Sequence, residues 1–108
     1  MIRFLALAAL GLTAFGAPLA AAQEDPAVMR GRQFARVHCS QCHATEKIGE
    51  SPLAIAPPLR DLHKNYPVET LEEALAEGIM TGHPTMPQFQ LEANEIFDFI
   101  AFLKSLEG

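Results

Sequence analysis

Cys39-Ser40-Gln41-Cys42-His43 holds both cysteines of this chain and sets a histidine directly after the second, the spacing used for covalent attachment of a c-type haem. If the segment is helical, positions i, i+3 and i+4 share a face, so Cys39, Cys42 and His43 meet one flat object. The residue types suit the chemistry, because two thiols can add to the two porphyrin vinyl groups as thioethers while the imidazole reaches the iron. A covalent cofactor is not lost by diffusion. Three other readings compete for these residues. A structural zinc site takes four ligands, usually in two pairs, and His38, His63 and His83 supply no matching second pair. A thioredoxin-like dithiol belongs to a βαβ context, whereas helical spacing precedes Cys39. A plain disulfide across a two-residue gap closes too short a loop to stabilise much, and it leaves His43 without a role.

The N-terminus points to export. Arg3, an apolar run over residues 4–15, Pro18 and the small residues Ala20-Ala21-Ala22 before Gln23 have the form of a secretory signal peptide with an A-x-A cleavage site. Residues 1–22 are therefore expected to be a signal peptide cut after Ala22, and residues 23–108 a single domain delivered to the periplasm. The competing reading is an uncleaved anchor, since the apolar stretch approaches spanning length. Gly11, Gly16 and Pro18 interrupt it, and no cysteine stands at the cleavage site to carry a lipid. No membrane insertion is expected after cleavage.

A chain this short builds only a marginal core of its own. A buried haem supplies the missing apolar interior, so the apoprotein is expected to be largely unfolded. Residues 23–108 carry seven Lys/Arg, the eight of the chain less Arg3, against thirteen Asp/Glu, a net charge of −6. That balance disfavours nucleic acid as a partner. The charge is also uneven: residues 23–60 hold five basic and four acidic side chains, residues 61–108 two and nine. A solvated acidic helix face explains such a bias, and steering toward a basic partner is the functional alternative.

Helical periodicity organises the chain. Asp25-Pro26 gives a cap followed by proline at the first helical position, and Ala27, Gly31, Phe34, Ala35 and His38 continue at helical spacing toward Cys39. Gly31 inside that helix costs about 1 kcal/mol relative to alanine, which predicts close approach of another helix. Residues 44–58 read as loop. After Tyr66-Pro67, Leu71, Ala74, Leu75, Gly78 and Ile79 form an apolar stripe opposite Glu69, Glu72, Glu73 and Glu77, with Gly78 and Gly82 marking the end. Gly82-His83-Pro84-Thr85-Met86-Pro87 is excluded from regular structure by its prolines. A last helix over about residues 92–106 has Ile96, Phe99, Ile100 and Leu103 as its core stripe, widened by Phe97, Phe102 and Leu106. Its start is poorly signalled, since neither Leu91 nor Glu92 is a good cap. No alternating strand pattern occurs, so the fold class is all-α.

With His43 on one side of the iron, function depends on the other side. Met86, in a proline-braced loop, is the expected sixth ligand. His83 and an open site are the alternatives. Met80 and Met29 are read as packing residues.

In these features the chain resembles class I c-type cytochromes, small soluble monohaem electron carriers of bacteria and mitochondria. The resemblance spans residues 27–106 and rests on Gly31 and Phe34 ahead of Cys39-Ser40-Gln41-Cys42-His43, on Ala56-Pro57-Pro58-Leu59, on Gly82-His83-Pro84-Thr85-Met86-Pro87, and on Phe99-Ile100-Ala101-Phe102-Leu103. It implies three main helices wrapped around one covalently attached haem c, with the first and last crossing at Gly31 against Phe99 and Phe102. It also implies that the Pro57 carbonyl accepts a hydrogen bond from the second nitrogen of His43; simple stiffening of the loop by Pro57-Pro58 is the alternative. Ala56 departs from the glycine often found before that proline, and the chain has no tryptophan for a propionate. Tyr66 and Arg60 are the candidates left for that task, or else ordinary surface and loop residues.

The resemblance implies a non-enzymatic, monomeric one-electron carrier with His43 and Met86 on iron and Cys39, Cys42 and Pro57 completing the haem site. Methionine opposite histidine raises the potential relative to two histidines, and apolar walls from Leu59, Leu71, Leu75 and Phe89 disfavour the extra ferric charge. Its partners are redox proteins, a dehydrogenase, an oxidase or a cytochrome complex, bound briefly over a small area. Two other functions compete: a haem enzyme or gas sensor with an open sixth site, and a fixed electron-relay subunit of a larger redox complex.

Overall fold

The structure is a computed structural model that describes Gly11, residues 23–79 and residues 86–108. The expected signal peptide, apart from Gly11, and Met80, Gly82, His83 and Pro84 lie outside the described residues. Among the described residues there are three α-helices and two short 3₁₀ helices, with no strand. Nor is any described helix long and apolar enough to cross a membrane.

Helix α1 spans Pro26–His38. Asp25 caps it by accepting the Ala27 N–H at 2.9 Å, and Pro26 occupies a first-turn position whose N–H needs no helical partner. Ala27, Gly31 and Ala35 form its buried edge, which packs chiefly on the last helix, α3, Ala93–Ser105. A Cβ on Gly31 would fall 2.1 Å from the Asp98 carbonyl oxygen and 2.6 Å from the Phe102 Cβ, so only hydrogen fits at the crossing. Asp98 thus joins Phe102 as a nearest neighbour of Gly31, and Phe99 meets α1 at Phe34, with ring centroids 5.5 Å apart. Arg30 closes the same crossing through a bidentate pair with Asp98 at 2.9 and 3.0 Å.

Helix α3 buries Phe99, Ile100, Phe102 and Leu103, and Phe102 is fully enclosed. Phe97 does not widen this face. It is 69 % exposed, because two residues before Phe99 places it roughly 200° around the helix. The start of α3 is held by the Glu95 carboxylate, which accepts the Glu92 N–H at 3.0 Å. The cap residue is therefore Glu92, supported by a side chain one turn inside rather than by its own type.

Helix α2 is short, Leu71–Glu77, entered through a 3₁₀ turn at Val68–Thr70. It ends at Gly78, whose φ of 100° lies in the region L side chains avoid. Ile79 therefore continues past the helix. Leu75 is the buried residue of α2, and Glu72, Glu73 and Glu77 face solvent. Met29, expected to pack, is 54 % exposed on α1.

Candidate functional site

Regular helix stops at His38, one residue short of the cysteine motif. The motif itself makes one further turn: the Cys39 N–H donates to Ala35 O at 2.7 Å, and the His43 N–H donates to Cys39 O at 2.9 Å. That i to i+4 closure preserves the helical spacing although the segment is not regular helix. Cys39, Cys42 and His43 consequently line a single cavity of ≈ 250 Å³ together with Met86. Cys39 and Cys42 are not joined to each other in a disulfide. Cys39 packs against the core, and burial, with a smaller contribution from neighbouring Cys42, pushes its thiol up to about 11.

Residues 44–58 are irregular, as their turn-forming composition predicts, but they are tied tightly to the motif. The Leu53 N–H donates to Cys42 O at 3.1 Å, and the Leu59 N–H to Ala44 O at 2.9 Å. The Ser51 hydroxyl accepts the Ala44 N–H at 3.0 Å. These bonds bring the chain back so that Pro57 O stands 2.6 Å from His43 Nδ1. A carbonyl can only accept, so Nδ1 carries the proton and Nε2 keeps its lone pair free. The Pro57 oxygen is available because residues 51–58 form no helix that would use it.

The remaining walls come from elements distant in sequence. Leu59 and Leu62 from the 3₁₀ helix Leu59–Lys64, Leu71 and Leu75 from α2, and Phe99 from α3 all face the cavity. Met86 and Phe89 enter on the segment leading to α3. Backbone bonds hold that segment to α2, from the Ile79 N–H to Phe89 O at 3.0 Å and from the Leu91 N–H to Leu75 O at 2.8 Å.

A flat, largely apolar cofactor bearing a metal fits this donor set. Two thiols stand three residues apart, one imidazole has a free nitrogen, one thioether lies in the same cavity, and the walls are aliphatic and aromatic. Zinc is served less well, since among the described residues no group of three or more His, Cys, Asp or Glu side chains is gathered for a metal ion. Tyr66 lines the cavity, half-buried, with burial raising its phenol above the ordinary value. Arg60 is directed elsewhere and donates to Glu46 O at 3.3 Å.

Two contributors were not legible from residue type. Ser51 reads as a generic turn residue, and nothing local singles it out as the partner of Ala44. His38 reads as a continuation of the α1 stripe, yet its ring lies 4.5 Å from Phe34 and 5.9 Å from Phe89, centroid to centroid. The i, i+4 spacing of Phe34 and His38 was the available signal for the first contact.

Compared with known proteins, residues 28–107 match the family model described as Cytochrome c. No curated protein and no solved structure matches the chain.

Proposed function

Because this chain belongs to the cytochrome c family, whose members carry haem c for electron transfer, we propose that it is a periplasmic one-electron carrier with a single haem c. Cys39 and Cys42 would hold the group as thioethers, and His43 and Met86 would serve as the axial ligands. When bound, the haem supplies an Fe(II)/Fe(III) couple of one electron.

The protein's own residues account for the rest. Pro57 O accepts a hydrogen bond from the Nδ1–H of His43, which orients the ring and strengthens Nε2 as a donor. Met86 offers a neutral thioether, and a filled sixth position leaves no place for oxygen or peroxide. Leu59, Leu71, Leu75 and Phe89 make the surroundings apolar, which disfavours added positive charge and supports a raised potential. Transient docking to a dehydrogenase, an oxidase or a cytochrome complex suits a small monomeric carrier. Export rests on the sequence of residues 1–22.

The observation that carries this reading is the convergence of Cys39, Cys42, His43 and Met86 on one apolar cavity. The test is the visible spectrum of the oxidised and reduced protein beside the mass of the mature chain. Expected are a Soret band, the mass increment of one haem, and a weak far-red band of sulfur ligation in the ferric state that disappears in Met86→Ala. A far-red band persisting in that variant removes Met86. Immediate carbon monoxide binding by the reduced wild type at neutral pH favours an open-site enzyme or sensor instead.

A further inference from the structure

Four aromatic rings border the cavity in an unbroken series that crosses three parts of the chain. Phe99 of α3 meets Phe34 of α1 at 5.5 Å, Phe34 meets His38 at 4.5 Å, and His38 meets Phe89 at 5.9 Å, all between ring centroids. The planes are inclined by 60°, 38° and 72°, the tilted and edge-on arrangements that aromatic pairs favour. The first contact joins two helices already packed together, and the second lies within α1 between residues four apart. The third joins α1 to the segment that carries Met86.

Phe89 lies three residues beyond Met86, and its carbonyl is bonded to the Ile79 N–H at 3.0 Å. That bond ties the segment to the end of α2, while the His38 ring ties it to the end of α1. His38 directly precedes Cys39, so this contact couples the backbone bearing the thiols to the backbone bearing Met86. We infer that His38 is a positioning residue: by packing on Phe89 it keeps Met86 in the cavity against the competing pull of solvent or added ligands. It acts through Phe89 and touches neither the iron nor its electrons. The inference rests on the reading of Met86 as axial ligand, and its test separates the two.

The measurement is the rate at which cyanide displaces the sixth ligand in the ferric holoprotein, followed at the Soret and far-red bands, with far-UV circular dichroism to report folding. His38 is exposed, so His38→Ala is expected to fold. It should keep the far-red band in buffer while accelerating cyanide entry roughly 2- to 10-fold, the span of a lost aromatic pair. His38→Phe, which restores a ring, should return to the wild-type rate. Equal rates in wild type and His38→Ala, with the band present in both, overturn the positioning role alone. An increase that His38→Phe fails to reverse also overturns it, since the ring is then not the cause. Absence of the far-red band from the wild type overturns the Met86 reading and this role with it.

Discussion

Gly31→Ala tests the helix crossing on which the cavity depends. In an open helix the change should stabilise, by about 1 kcal/mol of propensity, partly through the less flexible unfolded chain. Here the new Cβ would stand 2.1 Å from the Asp98 carbonyl oxygen and 2.6 Å from the Phe102 Cβ. The first neighbour is backbone and the second is the root of a fully buried side chain, so neither can rotate away. Moving the oxygen contact from 2.1 Å out to the 3.4 Å of ordinary packing requires α1 and α3 to part by 1.3 Å. Such a shift loosens Ala27, Ala35, Phe99 and Phe102 together and strains the Arg30–Asp98 pair. Overpacking of this kind costs typically 1–3 kcal/mol and occasionally more, and a backbone clash belongs at the upper end. Net of the propensity gain, a loss of about 2 kcal/mol is expected. For a domain of this size that corresponds to a fall in Tm of roughly 8–16 °C. Guanidinium and thermal unfolding of the holoprotein, followed by far-UV circular dichroism, read the change directly. A Gly31→Ala protein as stable as wild type, or more so, would refute the crossing and remove the reason for a glycine there.

Three further outcomes follow from the same structure. Ser51→Ala leaves the Ala44 N–H, in a residue only 8 % exposed, without its 3.0 Å acceptor; a loss of about 1–2 kcal/mol in denaturant unfolding is expected, and Ser51→Thr, which keeps the hydroxyl, should recover most of it. The Lys104 ammonium, by its hydrogen bond, holds the Glu69 carboxyl below its ordinary 4.5, as Arg32 does for Glu24. A carboxyl depressed on folding contributes stability that is present above 4.5 and lost as pH falls through the folded value. The Tm gap between wild type and Lys104→Met should accordingly be steady near neutrality and close on acidification; it should also close above the ordinary lysine value of 10.5, because Glu69 raises Lys104 in the fold. A gap independent of pH contradicts the pair. Finally, the haem-free Cys39→Ser/Cys42→Ser chain should show no cooperative thermal transition, since so small a domain has little core without a cofactor in its cavity, and a sharp transition would contradict that dependence.

Much of the site was legible because its chemistry is local. Cys39, Cys42 and His43 sit within five residues, and one helical turn brings them together whatever the rest of the chain does. The first helix was likewise readable from Asp25-Pro26 and the stripe that follows. The start of α3 was not, because Glu92 caps through Glu95 rather than through a favoured residue type. Phe97 was misplaced because a wide apolar stripe shows that a helix has a buried face without showing where that face ends. The 3₁₀ turns at Leu59–Lys64 and Val68–Thr70 carry too few residues to establish a period of their own.

Residue order alone determined the all-helical class, the thiol and imidazole set, and a need for close packing at Gly31, since each depends on spacing along a single segment. Tertiary structure decided what Gly31 touches, which oxygen faces His43 Nδ1, and that Met86 shares a cavity with the cysteines. It also decided that His38 spans to Phe89. These contacts join residues 14 to more than 60 positions apart, and no local period encodes a distance that exists only after the chain has closed on itself.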